Sequence, residues 1–173
     1  MKLRVRFVDL KTSRLLKIAF VSLLLLLSTT HCRAQSELSK RAGAMNRRAA
    51  PYTKRLPAID RIELIRVDET NEGGDVVRIG ATKMIEGRQA RRMAALWRAQ
   101  AWDYTEFGDC HEPSFAIKFY AGDKLLLYAS ICWGCHNIYM IEPIVGGQGF
   151  HSRSRRGQKL LGLFKAVFPE ART

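Results

Sequence analysis

The chain is 173 residues long, with 47% hydrophobic and 26% charged side chains, which suits one small domain with a single core. Its 29 basic and 16 acidic side chains give a net charge of +13. That balance suits an anionic partner, but no nucleic-acid recognition motif accompanies it, and the export signal argues against an intracellular nucleic acid.

Residues 1–34 read as a secretory signal peptide. Lys2, Arg4, Arg6, Lys11, Arg14 and Lys17 form a positive leader, and Ile18 to Leu27 an apolar run. That run has the length of a signal core and falls short of the ~20 residues a membrane span needs. Cys32-Arg33-Ala34 places small residues where a signal peptidase reads them, so cleavage is expected before Gln35. The chain is therefore expected to be exported, periplasmic or secreted, with no mature transmembrane span. An inner-membrane anchor made by an uncleaved signal is the alternative. A lipoprotein anchor through Cys32 is disfavoured, because His31 stands where a small residue is wanted. Without the leader, 22 basic and 15 acidic side chains remain, a net +7.

Residues 35–57 read as a flexible basic tether, rich in Ser, Ala, Lys and Arg and lacking an apolar period. A single domain is expected over 58–173. Ile59 to Asp68 is β-rich and ends in the turn signal Glu69 to Gly74, and Val76 to Met84 reads as the returning strand. A helix is expected over Arg88 to Gln100, with Ala90, Met93, Ala94 and Trp97 on one apolar stripe.

Next comes a hairpin. Phe115, Ile117 and Phe119 share one face, as do Leu125, Leu127, Ala129 and Ile131 on the return, around the turn Gly122-Asp123-Lys124. Matching the apolar faces sets Phe119 opposite Leu127, Ile117 opposite Ala129 and Phe115 opposite Ile131. Extended past Pro113, that register brings Cys110 and His111 beside Cys135 and His136. Asn137 to Val145 reads as a further strand, and Gly146-Gly147-Gln148-Gly149 as a flexible loop. Ser152 or Ser154 is expected to cap a last helix carrying Leu160, Leu161, Leu163, Phe164 and Val167, ended by Pro169. The order β-β-α-β-β-β-α favours an α+β domain: a small antiparallel sheet of about five strands with two helices packed on one face.

The chemistry-bearing residues cluster at one end of the hairpin, in Cys110-His111-Glu112-Pro113 and Cys132-Trp133-Gly134-Cys135-His136. Four readings compete. Cys132, Cys135 and His136 match the attachment pentad of a c-type haem, although the surrounding stretch is β-rich rather than helical. Cys110, Cys132 and Cys135 with His136, or His111 in its place, would make a tetrahedral Cys₃His zinc set. A redox pair is disfavoured, because a strand rather than a helix follows. The plainest reading is a disulfide staple, Cys110–Cys135 or Cys110–Cys132, in a domain with no cofactor and no catalysis. Ser114 and Ser130 lack a glycine elbow, and the Gly146–Gly149 run lacks a phosphate-loop lysine. Arg88, Arg91, Arg92 and Arg98 in one helix, and Arg153, Arg155 and Arg156 opening another, are the candidates for contact with an anionic envelope component.

At the hairpin the chain resembles a set of small exported bacterial proteins. The shared pattern is Cys-x-x-Pro, a strand ending in an aromatic, a glycine turn, and a strand closing on Ile-Cys-x-x-Cys-x-Asn. Here these are Cys110-His111-Glu112-Pro113, Phe119-Tyr120, Gly122 and Ile131 to Asn137. In that set the position of His136 is not held to histidine, which implies a cysteine scaffold rather than a haem pentad. The resemblance carries no activity with it.

Overall fold

Alternation of apolar and polar residues makes the sheet, and the computed structural model describes it through residues 40, 43–44, 47–71, 75–102 and 110–171. The expected signal peptide, residues 1–34, and residues 35–39, 41–42 and 45–46 of the expected tether lie outside the described residues. The fold lies within residues 42–173.

Six strands are described: β1 (Arg61–Thr70), β2 (Val76–Glu86), β3 (Phe115–Ala121), β4 (Lys124–Cys132), β5 (Asn137–Glu142) and β6 (Gly146–Gly149). They form one sheet in the order β2-β1-β3-β4-β5-β6, with every neighbouring pair antiparallel. Helix α1 (Gly87–Arg98) follows β2, and α2 (Arg155–Val167) follows β6. The domain is α+β, built on an antiparallel sheet.

The β3–β4 register is the expected one: Phe119 faces Leu127, Ile117 faces Ala129 and Phe115 faces Ile131. Phe115, Ile117, Phe119, Leu127, Ala129 and Ile131 are fully buried, together with Ile62 and Leu64 of β1 and Ile138 and Met140 of β5. Leu125, expected on the same face, is half-buried instead, because a ladder shift after Phe119 sets it opposite Tyr120. Both helices lie against this face. Trp97 of α1 meets Phe119 with ring centroids 5.1 Å apart, and Phe164 of α2 meets Phe115 at 4.9 Å. The α1 stripe of Ala90, Met93, Ala94 and Trp97 is buried as its spacing requires. Ser154 caps α2, its Oγ accepting from the Gly157 amide. Among the described residues no helix is long and apolar enough to cross a membrane.

Three features differ from the sequence reading. Residues 47–49, expected as tether, are helical, beyond the two helices expected. Gly146–Gly149, expected as a flexible loop, is the sixth strand and pairs Gly147 with Tyr139 and Gly149 with Asn137. Glycine has poor strand propensity, but ladder bonds are made by backbone, which a glycine run supplies at an edge. The C-terminal part of the expected tether is packed on the domain. Ala49 and Leu56 join the core, Trp97 Nε1 donates to Tyr52 O at 3.0 Å, and Arg98 Nη1 donates to the carbonyls of Leu56 and Pro57 at 3.1 Å each. A short 3-10 turn, Ala50–Tyr52, shapes this segment. Its apolar residues have no regular spacing, so a periodicity reading passes over them.

Candidate functional site

Strand β4 ends at Cys132, and the chain reverses through Trp133 to His136 before β5 begins at Asn137. The Cys135 amide donates to Cys132 Sγ at 3.1 Å, and the His136 amide to Trp133 O at 3.4 Å. The turn closes with His136 at φ 57°, a left-handed conformation uncommon for a non-glycine residue. Trp133 anchors the turn: its ring sits edge-on to Phe115 and Phe150 in the core. Cys110 comes over from the segment before β3 and is joined to Cys135, with the two Cα atoms 5.7 Å apart. Among the described residues Cys132 is the remaining thiol, and it is buried. Of the two pairings left open by the sequence, the structure has Cys110–Cys135.

His111 does not meet His136. Its ring is bound on both sides, by Asn137 Oδ1 at Nδ1 and Ser130 Oγ at Nε2, each at 2.7 Å. Asn137 Nδ2 donates to Cys110 O at 2.8 Å, which turns the amide oxygen toward the histidine. Nδ1 must then carry the proton, which leaves the Nε2 lone pair as an acceptor. The Ser130 hydroxyl lies 2.7 Å from it and 3.4 Å from Tyr139 O, and its proton goes to the shorter contact. This serine–histidine–amide order is that of a hydrolase triad. Ser130, however, is 1% exposed, so its hydroxyl serves the fold rather than a substrate. The chain of bonds pins the Cys110 segment to β4 and β5.

Burial holds the His111 pKa below its ordinary value, opposed by the Asn137 hydrogen bond and the charge of Asp75. The unfolded chain therefore binds a proton more readily than the folded one. Stability from this group is complete above about pH 6.5 and declines as pH falls through the folded-state value, levelling off below it. Denaturant melts across roughly pH 8 to 5 should show this decline, and His111→Gln should flatten it while lowering stability at the alkaline end. An unchanged slope in His111→Gln would assign the pH dependence to another group.

His136 faces the other way. Its Nδ1 is hydrogen-bonded to Ser152 Oγ, and Ser152 in turn donates to Trp133 O at 3.0 Å. The single hydroxyl proton is used on Trp133, so His136 Nδ1–H is the donor to Ser152 and Nε2 is the ring nitrogen left over. His136 then lines a cavity of about 620 Å³ together with Ala101, His151, Arg153 and Ser154.

The expected Cys₃His set is thus divided. Cys110 and Cys135 form a disulfide, His136 is tied to Ser152, and His111 is tied to Asn137 and Ser130. Among the described residues no group of three or more His, Cys, Asp and Glu side chains is placed to hold a metal ion. The basic residues divide as well. Arg88, Arg91, Arg92, Arg153 and Arg155 are exposed. Arg98 instead holds the Leu56 and Pro57 carbonyls, and Arg156, also exposed, donates to Ala99 O at 2.9 Å.

Sequence reasoning missed Ser130 and Ser152 as partners of the two histidines. They lie 19 and 16 residues from His111 and His136, and only the fold brings them together. No protein-family model, curated protein or solved structure matches this chain.

Proposed function

We propose that this is an exported, non-catalytic envelope domain, stapled at its central hairpin by Cys110–Cys135, whose basic residues meet an anionic envelope component. The observation that supports it is the joined pair Cys110–Cys135, since disulfides form and persist in oxidising compartments and are rare in the cytoplasm. The signal-like residues 1–34 and the resemblance to small exported bacterial proteins support the same compartment. Exposed Arg88, Arg91 and Arg92 on one helix support the anionic partner.

The test is the intact mass of protein from the exported fraction, alkylated in denaturant without reductant. The expected species starts at Gln35, is short by two hydrogens and takes up one alkyl group, at Cys132. A haem-sized increment would instead make Cys132, Cys135 and His136 the functional centre. One contact supports a second reading, zinc held by Cys110, Cys132 and Cys135 with His136 or His111: the Cys135 amide already donates to Cys132 Sγ. Three alkylatable thiols and metal released to a chelator would favour that reading over the staple.

A further inference from the structure

We propose that the cavity bounded by Ala101, His136, His151, Arg153 and Ser154 binds a phosphoryl group. The proposal deepens the anionic-partner reading and rests on it for the sign of the ligand's charge.

Two of the polar groups in the cavity wall, His136 and Ser154, are held in place by hydrogen bonds. Through Ser152, His136 is hydrogen-bonded to the loop before α2, which leaves its Nε2 for a ligand. The same loop is pressed close to the helix. A side chain at Gly157 would come within 2.3 Å of Ser152 O, so only glycine lets the two approach. Ser154 accepts from the Gly157 amide and keeps its own hydroxyl proton for another acceptor. Arg153 makes no hydrogen bond or ion pair among the described residues, so its guanidinium fork is open to one.

The charge arrangement is the second argument. Helices ordinarily favour acids in the first turn, where the macrodipole is positive. The first turn of α2 has none and holds Arg155 and Arg156, separated from Arg153 only by the cap Ser154. These cations oppose the dipole, and an anion at this place would relieve both. A cation would meet an arginine and, among the described lining residues, no carboxylate. A carboxylate offers two oxygens. A monoprotonated phosphoryl group offers more: oxygens for the guanidinium and the Ser154 hydroxyl, and a P–OH that can donate to the Nε2 lone pair left on His136. The volume, about 620 Å³, leaves room for an ester substituent.

The ligand could be a soluble phosphate ester or a lipid headgroup, and two probes separate these sources. The full exported protein is titrated calorimetrically with inorganic phosphate and floated with phosphatidylcholine vesicles carrying phosphatidic acid. The variants are Arg153→Ala, its charge reversal Arg153→Glu, and Arg88→Ala/Arg91→Ala/Arg92→Ala, each checked for an unchanged melt. The proposal expects saturable one-to-one phosphate binding, weakened at least tenfold by Arg153→Ala, abolished by Arg153→Glu and unaffected by the α1 variant. Vesicle flotation that also depends on Arg153 would identify a lipid headgroup, and its absence a soluble ester. Phosphate binding that ignores Arg153 overturns the proposal. So does flotation lost only in the α1 variant, although the anionic-partner reading then survives. No binding of either probe overturns both.

Discussion

Replacing Cys110 with serine will lower the unfolding free energy by about 3 kcal/mol, with a fall in melting temperature of roughly 10 °C or more. The bridged residues are 25 apart in sequence, and closing a loop of that size in the unfolded chain removes entropy worth about 3–4 kcal/mol. A folded-state consequence should accompany it. The disulfide and the bond from Asn137 Nδ2 to Cys110 O are what hold the Cys110 segment over the hairpin end. Losing the first leaves His111 and Ser130 covered by a segment fixed through hydrogen bonds alone. Cys135→Ser and reduced wild-type protein should behave like Cys110→Ser. Cys132→Ala should cost on the order of 1 kcal/mol, the loss of one small buried group. Equal melts for oxidised wild type and Cys110→Ser, or a larger loss in Cys132→Ala, would show that Cys110–Cys135 is not the staple.

Much of this arrangement is legible before folding, and the reason is periodicity. The β3–β4 register follows from matching two apolar faces, because a slip of one residue would turn Phe115, Ile117 and Phe119 to the opposite side. The α1 stripe and the Ser154 cap follow from spacing in the same way. Legibility ends where the alternation ends, at Cys132. The left-handed residue His136 redirects the chain, so extending the register places His111 beside His136, whereas it lies beside Asn137 and Ser130. No pattern in the sequence announces that turn. The sixth strand was hidden for a different reason: Gly146, Gly147 and Gly149 offer no side-chain alternation, and their pairing with β5 is made by backbone alone. Residues 49–57 were hidden because three scattered apolar contacts and a few carbonyls, rather than a repeating face, fix them to the domain.

Trp97 is where that last segment and the core meet, and its truncation gives the largest expected loss. The ring is fully buried, 4.9 Å from Trp102 and 5.1 Å from Phe119 between centroids. Trp97→Ala removes those contacts and leaves a cavity under α1, at a cost of about 3–5 kcal/mol. Trp97→Phe separates two contributions. It keeps much of the packing but deletes the indole N–H, so Tyr52 O loses its donor, costing about 1–3 kcal/mol. The deleted bond is also a tether, so the smaller variant should have a local signature that the energy alone would not reveal. Lys54 and Arg55 are exposed but sit between buried Thr53 and Leu56, which restrains the backbone a protease must unfold. Trypsin should therefore cleave after Lys54 or Arg55 several-fold faster in Trp97→Phe than in wild type, under conditions where both remain folded. Equal cleavage rates would mean that Arg98 and the buried Ala49 and Leu56 hold the segment without the indole. A loss under about 1 kcal/mol in Trp97→Ala would contradict the placement of this ring at the centre of the core.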